Sequence, residues 1–271
     1  MDLGFFTKTV VGTQANAQQT GQTNELTATE LELISDLKKA FATEDKPLVV
    51  LLNVGGVTET NSWKTLADAI LLTWQPGQEA GNAITDLLLG KANPSGKLPV
   101  TFPIALDDVP SSKNFPGIPL DPNAEKPSNP LQGIPSEEIY EEGIYVGYRH
   151  FDTQKLDVSY PLGFGLSYTD FAVSEVTSSL ENNVINVTAT IQNIGANAGK
   201  EVVQVYVAKP ETAIDRAAQE LKAFAKTSLL APEASETLTF QIPVNELSYW
   251  NENTNNWSLE PGTYRIKVGT S

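Results

Sequence analysis

Thirty-three acidic side chains stand against eighteen basic ones, one histidine and no cysteine, so chemistry in this chain rests on carboxylates. Without cysteine, thiol catalysis, disulfides and thiolate metal sites are excluded, and a lone histidine cannot build a His-rich metal centre. A Ser-His-Asp triad would have to use His150, which lies inside an aromatic run where a hydrogen-bonded structural role is the better reading. Glu141 and Glu142 are neighbours, and adjacent side chains of a strand point to opposite faces, so they do not make a catalytic pair. Glu79 follows an apolar run at the place where α/β folds put their ligands, which makes it a candidate substrate-binding residue. The favoured alternative is that it stabilises the positive end of the next helix. Trp74 is a candidate for stacking on a ligand ring, against the alternative of a core tryptophan. Arg149 suits a fork of hydrogen bonds to a carboxylate. No glycine-rich phosphate loop follows the apolar run at 48–54, so a nucleotide site has no support, and neither a cofactor nor a metal is expected.

The net charge of -15 argues against a phosphate-seeking surface, so nucleic acid and anionic membrane are not expected partners. No apolar run has the length of a membrane span. The opening MDLGFFTKTVVGTQ lacks a basic segment followed by a long apolar one, so no secretion signal is expected and the location leans cytoplasmic. Asn186-Val187-Thr188 and Asn256-Trp257-Ser258 match the glycosylation sequon, which matters only in a secreted chain.

Stepwise along the chain, residues 1–24 carry one short apolar patch and little other signal. Thr27-Ala28-Thr29-Glu30 fits a capping box, and Leu31, Ile34, Leu37 and Phe41 follow at helical spacing, which predicts a helix over about 27–42. Pro47 to Val54 is a continuous apolar run of strand length, as expected of a parallel strand buried on both faces. A helix over about 62–68, a short strand over 69–74 and a helix over 79–89 stopped by Gly90 complete an α/β pattern. Prolines recurring from Pro110 to Pro135 predict a long extended loop. Between Tyr140 and Thr169 glycines and aromatics are too dense for an ordinary linker or a regular strand, and the stretch reads as a seam. Beyond it, alternating segments at 184–191, 201–207, 220–224, 236–242 and 263–268 predict an antiparallel sandwich.

These segments resemble the family 3 glycoside hydrolases, the β-glucosidase family. The resemblance rests on Pro94-Ser95-Gly96-Lys97-Leu98-Pro99-Val100-Thr101-Phe102-Pro103, on YEEGIYVGYRHF at 140–151, on PLGFGLSYT at 161–169 and on WQPGQEAG at 74–81. Asn193-Ile194-Gly195, the run from Ala198 to Tyr206, ELKAF at 220–224 and EPGTY at 260–264 are similar to the fibronectin type III-like domain of those enzymes. The resemblance runs from about residue 25 to the end and implies retaining hydrolysis of a β-glycoside by two carboxylates about 5 Å apart. It also implies a nucleophilic Asp on a (β/α)8 barrel and an acid/base Glu in a loop early in the α/β domain. A barrel needs about 250 residues by itself, so the nucleophile is expected outside this chain. The loop that would carry the acid/base falls near Val10–Asn16, where no carboxylate occurs, and the first strands of the sheet are not recognisable. No catalytic residue is therefore assigned.

The expected architecture is an incomplete α/β parallel-sheet layer domain at 1–110, a Pro/Gly/aromatic-rich connection at 111–169 and an all-β fibronectin type III-like sandwich at 170–271. The expected function is that of the C-terminal part of a β-glucosidase-like enzyme. Its expected partner is a barrel-bearing N-terminal segment, a second chain that carries the barrel, or another copy of itself. The alternative is a non-catalytic carbohydrate-binding or scaffold module. Sugar and linkage preference are not encoded in this stretch.

Overall fold

The computed structural model describes residues 4–9, 25–115, 117–125, 127–129, 133–211 and 214–271. They form two compact units: Met1–Ala80 with Phe102–Gly147 and Asp157–Ser159, and Gly81–Thr101 with Tyr148–Leu156 and Tyr160–Ser271.

In the first unit, helix α1 (Ala28–Thr43) starts as expected, because the Thr27 hydroxyl accepts the Glu30 amide while the Glu30 carboxylate takes the Thr27 amide. Strand β2 (Leu48–Asn53) lies between β1 (Gly4–Thr9) and β3 (Ala69–Leu72), and both ladders are parallel. Strand β1 corrects the reading of residues 1–24, whose short apolar patch carries too little alternation to reveal a strand on its own. Leu48, Val50 and Leu52 pack on Ile34 of α1 with Val54 and Trp63, while Val49 and Leu51 are buried on the opposite face of the strand. Burial on both faces explains the unbroken apolar run. Asp68 anchors one end of this layer by accepting the Leu48 amide at 2.8 Å and pairing with Lys38.

The helix expected over 62–68 is a single 3-10 turn, Lys64–Leu66. Trp63 is fully buried, its indole N–H donates to the Glu59 carbonyl at 2.9 Å, and β3 begins only three residues after the turn. That leaves no length for an α-helix. Another 3-10 turn, Pro110–Lys113, interrupts the proline-rich loop, with proline in the first turn where its missing N–H costs nothing.

The second unit is built on two three-stranded antiparallel sheets. Strands β4 (Phe171–Glu181), β5 (Val184–Asn193) and β8 (Ser235–Pro243) form one in the order β8-β5-β4. Strands β6 (Val202–Ala208), β7 (Gln219–Lys226) and β11 (Arg265–Gly269) form the other in the order β7-β6-β11. Val187, Ala189, Ile191, Val203, Val205, Phe240 and Ile242 fill the space between them. A short hairpin, β9 (Tyr249–Asn251) with β10 (Asn256–Ser258), lies outside these sheets. Helix α2 (Ala80–Leu88) ends as expected at Gly90, whose φ of +69° suits glycine.

The motif segments of this unit bind one another. Leu98 donates to the Phe164 carbonyl and Gly163 to the Leu98 carbonyl, both at 2.8 Å, and the Lys97 ammonium reaches the Gly165 carbonyl. Asn93 accepts from Ser167 Oγ and the Tyr168 amide and donates to the Ala198 carbonyl. The aromatic run yields helix α3 (Tyr148–Gln154), which the flanking glycines concealed. It docks on β7: the Tyr148 and Thr153 hydroxyls accept the Leu221 and Ala218 amides, and Arg149 pairs with Glu220 at 3.4 Å.

Candidate functional site

In the first unit the loops that leave the C-terminal ends of β2 and β3 stand side by side, at the edge where open parallel sheets take ligands. Gly55 and Gln75 meet there: a Cβ on Gly55 would lie 2.9 Å from the movable end of the Gln75 side chain. Trp74 lies beyond β3 rather than within it, because the strand stops at Leu72 and Trp74 adopts a φ of +53°. For a bulky residue that is a genuine outlier. Its ring is half-buried, 6.3 Å from Phe102 and tilted by 58°. Glu79 is exposed, one residue before the first residue of α2. The two candidates therefore share the loop 73–79.

Beside these loops is a cavity of about 190 Å³ lined by Glu25, Val57, Thr58, Glu59, Pro103, Ala105, Leu106 and Asp107. Sequence reasoning did not find it, because its lining comes from three separated segments. Its volume falls below the roughly 300–1,000 Å³ of ligand pockets, so it has room for no more than part of a ligand. Glu59 is committed to local structure: its carboxylate accepts the Ser62 amide at 2.7 Å and the Ser62 hydroxyl at 2.6 Å. Nearby, Thr60 and Ser159 share a buried hydroxyl–hydroxyl bond of 2.7 Å, which fixes the loop after β2.

The other sequence candidates have structural surroundings. His150 packs edge-on against Phe151 at 5.3 Å. Glu141 and Glu142 lie in a turn, the first exposed and the second half-buried. Among the described residues, no group of three or more His, Cys, Asp or Glu side chains is placed to hold a metal ion. The segment near Val10–Asn16, where the acid/base loop would fall, lies outside the described residues.

Residues 7–148 match the glycosyl hydrolase family 3 C-terminal domain. The chain belongs to that family. Residues 201–271 match the fibronectin type III-like domain, so an α/β parallel-sheet layer is followed by an all-β sandwich. Beta-glucosidase B of Emericella nidulans is 38% identical over 229 residues, covering 83% of this chain and 26% of that protein. Thermostable beta-glucosidase B of Acetivibrio thermocellus is 36% identical over 239 residues, covering 87% of this chain and 29% of that protein. The structure of beta-glucosidase 3B from Thermotoga neapolitana in complex with alpha-D-glucose superposes with a TM-score of 0.83 at 44% identity, over 92% of this chain and 33% of that one. The chain thus spans less than a third of the length of these curated relatives.

Proposed function

We propose that this chain is the C-terminal part of a β-glucosidase-like retaining glycoside hydrolase, inactive until a barrel domain supplies the nucleophile. The observation that carries this reading is the pair of family matches, in order, within β-glucosidases of which the chain spans less than a third. A β-glycoside is the substrate on this reading, and the loop 73–79 covers one side of it. Trp74 stacks on a sugar ring and Glu79 bonds a hydroxyl. A strained φ costs of order 1–3 kcal/mol, and such strain gathers at ligand clamps, which supports a working role for Trp74. The small cavity fits a subsite that is completed from outside the chain.

The surface supports the same partner. Ile118, Leu120, Ile139, Tyr140, Ile144 and Val146 of the first unit are all exposed, apolar side chains that a covering partner would take out of water. On this reading the barrel covers them, and a second copy of the chain does so in its absence. Light scattering tests the point. The purified chain is expected to self-associate, to form a stoichiometric complex with a barrel domain from a relative, and to lose both when Ile118 and Leu120 become Asp. A monodisperse monomer that ignores the barrel would overturn the reading.

The second reading, a non-catalytic carbohydrate-binding module, is favoured by one observation: two exposed tryptophans, Trp250 and Trp257, paired on the sandwich unit.

A further inference from the structure

Trp250 and Trp257 face each other across the β9–β10 hairpin, 47% and 65% exposed, with ring centroids 5.7 Å apart and planes at 77°. A cross-strand aromatic pair supports so short a hairpin, yet that purpose does not require both rings to remain in water. The hairpin is held in place from below: Arg216 lies 5.8 Å from the Tyr249 ring and donates to the Leu247 carbonyl. Asn251 Oδ1 accepts the Asn253 amide at 3.0 Å and the Thr254 amide at 3.4 Å, which fixes the turn. The rings are therefore presented on a pre-ordered mount, which lowers the cost of binding. Their rim is polar, since the turn between the strands reads Glu252-Asn253-Thr254-Asn255. The two aromatic faces are thus set among amides and a hydroxyl. They match a pyranose, whose C–H face is apolar and whose equatorial hydroxyls need partners.

We propose that the Trp250–Trp257 hairpin is a glycan-binding platform for a soluble β-glucan chain. The sugar class rests on the glycoside hydrolase reading above; the platform itself rests on the exposure, geometry and rim of the two rings. Rings at 77° cannot both lie on the flat face of crystalline cellulose, but they can grip a curved chain, one by its face and one along its edge.

Affinity electrophoresis of the full chain in gels containing a soluble β-glucan tests this, with pull-down on crystalline cellulose alongside. The unsubstituted chain is expected to be retarded by the glucan and not captured by cellulose. Trp250→Ala and Trp257→Ala are expected to weaken retention about tenfold or more, the loss of 1.4 kcal/mol. Trp257→Phe, which keeps a cross-strand aromatic pair and so guards against misfolding, is expected to retain part of it. No retardation of the unsubstituted chain, or equal retardation of the alanine variants, would overturn the proposal. So would capture by cellulose alone, or self-association that the alanine variants abolish and glucan leaves unchanged. Turnover of a small aryl β-glucoside after addition of a barrel should not change in these variants. The platform and the hydrolase reading can therefore fail separately.

Discussion

Lys97 and Glu201 meet at 2.9 Å with side chains only 12% and 9% exposed, and they join the KLP motif to the strand that opens EVVQVY. Each has a further bond: Lys97 to the Gly165 carbonyl and Glu201 to the Val202 amide. Removing one partner of a buried pair strands the other charge, so Lys97→Met should cost about 3–5 kcal/mol in denaturant melts. The double variant Lys97→Met, Glu201→Leu should recover much of that loss, because no unpaired charge remains. Close by, Tyr206 donates to the buried side-chain Oε1 of Gln204 at 2.7 Å, and burial, with Tyr148 and Asp152 nearby, pushes its phenol up to about 12. An unfolded tyrosine ionises near pH 10, so between about 10 and 12 the folded chain holds the extra proton. Stability carried by Tyr206 is complete below about pH 10 and is lost as pH rises through that window. Urea melts at alkaline pH should show this decline, and Tyr206→Phe should flatten it while losing about 1 kcal/mol at neutral pH. Gly163, at φ +82°, leaves room for the Gln204 amide that any Cβ would overlap, which explains the glycine in PLGFG.

At the scale of elements, local chemistry decided what could be read from sequence. Helix α1 was legible because its cap and its apolar stripe agree, and Thr27→Ala should cost about 1 kcal/mol by thermal melt. Strand β2 was legible from an apolar run that only burial on both faces explains. The turn at Lys64–Leu66 was misread as a helix, since buried Trp63 and the short path to β3 are tertiary facts. Strand β4 went unread because most of it is exposed and serine-rich, with a register shift after Ser174 and a φ of +49° at Glu175. Trp74 and Glu79 could be picked out because they follow an apolar strand. The cavity lined by the loop after β2 could not, because Glu25, Glu59 and Asp107 lie far apart in sequence. Asp68, which joins α1 to the edge of β2, is held below the usual carboxylate range by its hydrogen bond from Lys38 and by the Leu48 amide. Its stabilising effect is present above the unfolded carboxyl pKa and is lost as pH falls through the lower folded value. Asp68→Asn should therefore reduce the acid sensitivity of the melting temperature.

At the scale of the whole molecule, the chain is an α/β layer followed by a fibronectin type III-like sandwich, drawn from a family whose curated relatives are more than three times its matched share. Retaining hydrolysis needs a nucleophile and an acid/base about 5 Å apart. The cavity's Glu59 is already held by Ser62, and on the proposed reading the barrel covers the exposed Ile118, Leu120, Ile139, Tyr140, Ile144 and Val146. The most direct test is turnover of a chromogenic aryl β-glucoside by the purified chain, alone and with a barrel domain from a relative. No turnover alone and turnover on mixing is the predicted result. Turnover by the chain alone that survives rigorous purification would contradict the account and require a carboxylate pair within these residues.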